Sequence, residues 1–152
     1  MESVLFDSNI HKWNKNDSEF SSKLNNKLKV MILIENNFGN IFGGYIEKEI
    51  KINQFINEGT YVFSMKKNDT IEMKKYPLKP NEKGFYLCRD YYNVLFAFGE
   101  ENDYFRDICI WKKDVKQNEY CKQHSFEYDG KEHCLSDKID FEVERILVYQ
   151  LK

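Results

Sequence analysis

From Val30 onward the chain is a succession of short apolar runs set off by polar turns. VMILI, Val30 to Ile34, is apolar throughout, and after the turn ENNFGN a second run follows, IFGGYI. Such a pair predicts a hairpin buried on both faces, because uninterrupted apolar runs of this length suit strands covered on two sides. TYVFSM, Thr60 to Met65, concentrates β-branched and aromatic residues and stops at the turn former KKND, so it is expected to be a strand. FYLC (Phe85 to Cys88), VLFAF (Val94 to Phe98) and DICIW (Asp107 to Trp111) come next at hairpin spacing and predict an antiparallel meander. SFEYDGKEHCL alternates around Asp129-Gly130, a dipeptide that takes positive φ readily, and predicts another hairpin. In the closing FEVERILVYQLK, Phe141, Val143, Leu147, Tyr149 and Leu151 share one face, with Ile146 and Val148 on the other. Apolar groups on both faces predict a central strand.

Helix signals are sparse. Asn16 stands three residues before Glu19, and Phe20, Leu24 and Leu28 recur at spacing four, which predicts one helix over about Asp17 to Asn26. EKEIKINQFINEG reads as loop and short strand, and Pro77 and Pro80 mark the polar stretch up to Gly84 as a connection or an edge. Eight or so strands with short helices define a mainly β chain of the α+β kind, with two antiparallel sheets packed as a sandwich.

Composition narrows the class. The 152 residues are 41% hydrophobic and 16% aromatic, enough to fill a core, and residues 1–152 are expected to form a single domain. Twenty-three basic and 25 acidic residues leave a net charge of −2, which supplies no field to draw the chain onto nucleic acid or an anionic membrane. No apolar run is long enough to cross a bilayer, and MESVLFDSNIHKWNKNDSEF has no leader pattern, so a cytoplasmic or soluble nuclear location is expected. Cys88, Cys109, Cys121 and Cys134 are then expected to be reduced thiols. Alanine occurs once, at Ala97, against 15 Asn and 20 Lys, a bias that lowers helix propensity.

No nucleophile elbow, zinc-protease helix, Walker loop or dinucleotide fingerprint is present, so no catalytic residue and no cofactor are assigned. Gly43-Gly44 is too short to cradle phosphate and reads as a place of close backbone approach or a bulge. CKQHSFEYDGKEHC holds Cys121, His124, His133 and Cys134, two thiolates and two imidazoles that zinc accepts tetrahedrally. Against a metal site, the spacing matches no usual zinc pattern, and adjacent His133 and Cys134 would point to opposite faces of a strand. A second chemistry is a redox thiol at Cys121, beside Lys122 and near His124, or at Cys134; reactivity there needs exposure as well as a cationic neighbour. Glu100, Glu101, Asp103 and Asp107 crowd GEENDYFRD without calcium-loop spacing. An exposed loop on a rigid sheet is where partners are recognised, which makes Glu100, Glu101 and Asp103 the candidate interaction loop.

In order, FGGYI, GTYVFSM, VLFAFGEENDYFRDICIWKKD, SFEYDGKEHCL and DFEVERILVYQL resemble the TLDc domain, the module of the oxidation-resistance proteins, over roughly Val4 to Leu151. The resemblance implies a two-sheet sandwich edged by short helices, with no established catalytic residues. It also implies a protein-interaction role tied to oxidative-stress protection, several members binding the vacuolar ATPase and modulating its assembly. Phe42, Gly43 and Gly44 fall on the family's Phe-Gly strand, Phe98 and Gly99 on its second Phe-Gly motif, and Asp107, Ile108, Ile110 and Trp111 on the strand after it. The resemblance gives all nine a structural role. GEEND stands where a glycine-rich run often follows the second motif, and VYQL where many members have a Val-Trp pair.

Overall fold

The computed structural model describes residues 3–89, 92–101, 106–116, 119–130, 134–136 and 139–152. Its elements run β1 (Ser3–Asp7), β2 (Trp13–Asn14), β3 (Asp17–Ser18), α1 (Phe20–Leu24), β4 (Val30–Asn36), β5 (Ile41–Ile46), β6 (Phe55–Ile56) and β7 (Tyr61–Lys67). There follow β8 (Thr70–Pro77), β9 (Phe85–Leu87), β10 (Val94–Phe98), β11 (Ile108–Trp111), β12 (Glu119–Tyr120), β13 (Asp140–Phe141) and β14 (Val143–Gln150). Among the described residues these strands make two six-stranded antiparallel sheets, β1-β14-β4-β5-β7-β8 and β13-β12-β11-β10-β9-β6, and a two-stranded ribbon, β2-β3. The ribbon makes three sheets where the sequence predicted two.

Both six-stranded sheets feed one hydrophobic cluster. Val30, Ile32, Ile34, Phe42, Ile146 and Val148 come from the first, and Phe85, Leu87, Phe96, Phe98, Ile108 and Ile110 from the second. Rings stitch them together: Phe42 meets Phe141 edge-on at 5.3 Å, and Phe20 of α1 packs on Phe6 at 4.9 Å and stacks on Phe96 at 5.1 Å. Each buried ring or aliphatic contributes about 1.5–3 kcal/mol by leaving water. Gly44 admits the Phe98 ring, which would lie 2.3 Å from a Cβ placed there. Gly43 brings β5 against the Ile32 carbonyl of β4, only 1.8 Å from the Cβ it lacks. The pair thus serves close approach between strands and between sheets.

Several local expectations need correction. The helix is a single turn, Phe20–Leu24, because Asp17–Ser18 pair with β2 and Asn26 takes a φ of 68°, ending the element early. The proposed capping box does not form: Glu19 is itself the N-cap, and its carboxylate accepts the Lys12 N–H at 2.8 Å. Leu28 is accordingly exposed. The β4–β5 hairpin is present, yet β4 alternates, with Met31 and Leu33 only half-buried between Val30, Ile32 and Ile34. The closing strand lies between β1 and β4, but its core face is Ile146 and Val148; Val143, Leu147 and Tyr149 line the half-buried side. Of the polar stretch punctuated by Pro77 and Pro80, read as a connection or an edge, the part up to Pro77 belongs to edge strand β8, in agreement with the second alternative. Ser125–Gly130 is not a hairpin arm: it makes one bridge, Phe126 to Leu78, since the N–H groups of His124 and Ser125 bond a carboxylate instead.

Candidate functional site

Asp107 enters β11 with no solvent exposure. Its Oδ2 accepts the His124 N–H at 2.9 Å and the Tyr128 hydroxyl at 2.7 Å, and Oδ1 and Oδ2 share the Ser125 N–H at 3.1 and 2.9 Å. Its backbone carbonyl accepts the Lys122 N–H at 3.2 Å. Burial pushes the Asp107 carboxyl above the ordinary range, while the Tyr128, His124 and Ser125 donors pull it back by bonding the charged form. Burial, and after it the same carboxylate, raises the Tyr128 phenol well above its usual value.

The carboxylate also shapes the loop leaving β10. Gly99 has a φ of +79°, and a Cβ there would sit 2.0 Å from Asp107 Oδ1, so both conformation and space demand glycine. Ser125 Oγ then accepts the Glu100 N–H at 3.1 Å. Two segments far apart in sequence are therefore built on one side chain. At the surface, Glu100 pairs with Arg106 at 3.3 Å and Glu101 with Lys122 at 3.8 Å, both partly exposed. Pairs of this kind add little stability, but they fix where the charges stand. Asp103 lies outside the described residues.

Phe42, Phe98, Ile108 and Ile110 are core residues, and Trp111 is half-buried on the opposite side of β11. Of the four zinc candidates, His133 is outside the described residues, and the other three make different polar contacts. The Cys121 thiol is in the core, His124 Nδ1 lies 3.2 Å from Ser125 Oγ and 3.7 Å from Glu82, and Cys134 Sγ donates to Asp129 at 3.2 Å. No three His, Cys, Asp or Glu side chains among the described residues gather as metal ligands. As redox centres the thiols are poorly set. All four cysteines are buried, and burial pushes Cys88 to about 11, Cys109 to about 12, and Cys121 and Cys134 upward. Near neutral pH they are thiols, the unreactive form.

Two features carry no motif. On the outer face of the second sheet, Phe55, Tyr86, Ala97, Cys109 and Tyr120 are successive cross-strand partners over five strands. They line a groove of about 500 Å³ whose rim includes Glu100 and Arg106. The signal for it was the alternation of FYLC, VLFAF and DICIW, which sends Tyr86, Ala97, Cys109 and Trp111 away from the core. The second is Glu119, buried on β12, where burial and the nearby Glu142 push its carboxyl up to about 7. A raised folded-state value stabilises the chain fully below the unfolded value of 4.5, and that contribution is lost as pH rises through about 7. Glu119→Gln is therefore expected to be more stable than the parent by about 1–2 kcal/mol at pH 8 and equal to it at pH 4, as denaturant melts at the two pH values will read.

Antiparallel sheets sharing a ring-rich core, with a buried carboxylate bonded to two loops, define a mainly β fold. The chain belongs to the TLDc domain family, whose model matches residues 3–152, essentially its whole length. Among curated proteins we found no match.

Proposed function

We propose that this TLDc domain is a non-catalytic protein-interaction module that contacts its partner through the loop at Glu100 and Glu101. The observation that carries the reading is the Asp107 anchor, which places two partly exposed carboxylates on a loop tied to a rigid core. A preset acidic loop lowers the ordering cost of docking and steers a basic partner surface. The two six-stranded sheets are taken to face each other as a sandwich, which the Phe42–Phe141 contact and the fit of Phe98 over Gly44 support.

By family resemblance the partner is the vacuolar ATPase and the setting oxidative-stress protection, and the location we propose is the cytoplasm. The test is binding of the purified chain to purified vacuolar ATPase, beside a Glu100→Lys, Glu101→Lys variant checked for native stability. Saturable binding that the variant weakens about tenfold is expected for two reversed charges in a docking surface. No binding by the parent chain, or equal binding by the variant, contradicts the reading.

A further inference from the structure

The first sheet turns Val30, Ile32, Ile34, Phe42, Ile146 and Val148 to the core, and its opposite face is apolar too. Val4, Tyr149, Met31, Tyr45, Tyr61 and Pro77 are successive cross-strand partners over all six strands. In the next row Leu147, Leu33, Gly43 and Phe63 follow one another and end at Lys75. None of these residues belongs to the shared core. Phe63 is fully buried, but Tyr149, Met31, Tyr45, Tyr61, Leu147 and Leu33 are half-buried and Val4 is 55% exposed. An antiparallel sheet with one face on the core ordinarily turns polar side chains outward, so apolar rows of this extent mark an interaction surface.

The charges at the two ends of the rows say what fits. Beyond Met31 and Tyr45 lie Lys29 and Glu47, neighbours through the Lys29 N–H, which donates to the Glu47 carbonyl at 3.2 Å. Beyond Leu147, Leu33 and Phe63 lie Arg145, Glu35, Ile41 and Lys66, again successive partners. When a second copy is turned end for end about an axis across the strands, each strand lies over its own counterpart with the ends exchanged. Lys29 of one copy then stands over Glu35 of the other, and Glu47 beside Lys66, each pair made twice. The row of Tyr149, Met31, Tyr45 and Tyr61 falls on that of Leu147, Leu33, Gly43 and Phe63, which sets the Tyr45 ring over a residue without a side chain. Stacked sheets cross at about 30°, which moves the charged ends by about 5 Å, within the reach of lysine side chains. The face measures about 24 Å across the strands and about 20 Å along them, so two copies would bury roughly 1,000 Å², the lower bound for a specific association.

We propose that this face is a dimer interface, two copies stacking their first sheets about a two-fold axis that runs across the strands. It shares no residue with the Glu100 and Glu101 loop, so either reading can fail without the other. Sedimentation equilibrium of the whole chain between about 10 and about 500 µM is expected to show a reversible monomer–dimer equilibrium, as an interface near the lower size bound gives. Glu35→Lys alone and Lys29→Glu alone set like charges against each other twice, and each is expected to weaken dimerisation about tenfold or more. Mixed in equal amounts, the two variants regain both opposite-charge pairs, and a heterodimer of about the parental affinity is expected. Glu47→Lys with Lys66→Glu makes a second such set, which decides should a variant at Glu35 or Lys29 fail to fold. A parent chain still monomeric at about 500 µM, a dimer indifferent to the charge reversals, or single variants that stay monomeric when mixed would overturn the proposal.

Discussion

Asp107→Ala is expected to lower the unfolding free energy by about 3–5 kcal/mol, because it strands buried donors that the carboxylate now satisfies. The His124 and Ser125 N–H groups and the Tyr128 hydroxyl would all lose their acceptor at once, around a carboxylate that is itself fully buried. The cavity left beside Gly99 adds to the loss. Denaturant melts of parent and variant measure it. A drop below about 1 kcal/mol would mean that the donors find other partners. Since Ser125 positions Glu100, the same variant, where still folded, is expected to lose the ordered Gly99–Glu101 backbone.

Gly43→Ala is the second large effect. Its φ requires nothing unusual, so the loss comes from space alone: a methyl at that position would meet a backbone oxygen, the Ile32 carbonyl, at 1.8 Å. A flexible side chain could move aside, but a carbonyl within the β4–β5 ladder moves only if the pairing of Leu33 with Gly43 and Ile32 with Gly44 is disturbed. A loss of about 3 kcal/mol or more is expected, the upper end of what overpacking costs. Ala at exposed Gly130 makes the control for space, since nothing lies within 4 Å of its Cβ; its φ of +82° leaves only the smaller cost of a left-handed alanine. Thermal melts that ranked the two variants the other way round would contradict the close approach.

The core strands were legible because their apolar runs are their burial. VMILI, IFGGYI and VLFAF lie in β4, β5 and β10, and TYVFSM lies in β7 but for Thr60. β8 was not, because TIEMKKYP at a sheet edge is mostly exposed and is held chiefly through backbone pairing with β7, which leaves little hydrophobic pattern. Both faces of β14 read as apolar, and the fold fully buries only the smaller set, Ile146 and Val148. Which side of a strand is covered depends on what packs there, and one strand's sequence does not say. Asp107 was legible as a position and not as an anchor, since its partners lie 17–21 residues away and two of the three are backbone N–H groups, which have no residue signature. The groove was half legible: parity sends Tyr86, Ala97 and Cys109 outward, but only register aligns them in one row.

One buried carboxylate bonds the segment that in turn holds the loop we propose as the partner contact. Amide hydrogen exchange at His124 and Ser125 tests that most directly. With their N–H groups bonded to the buried Asp107 carboxylate, both are expected to be protected from exchange, Ser125 as strongly as the β4 and β14 core amides, and to lose that protection in folded Asp107→Asn. Exchange at unprotected rates in the parent chain, with β4 and β14 still protected, would contradict the account, because the loop would then stand without its anchor.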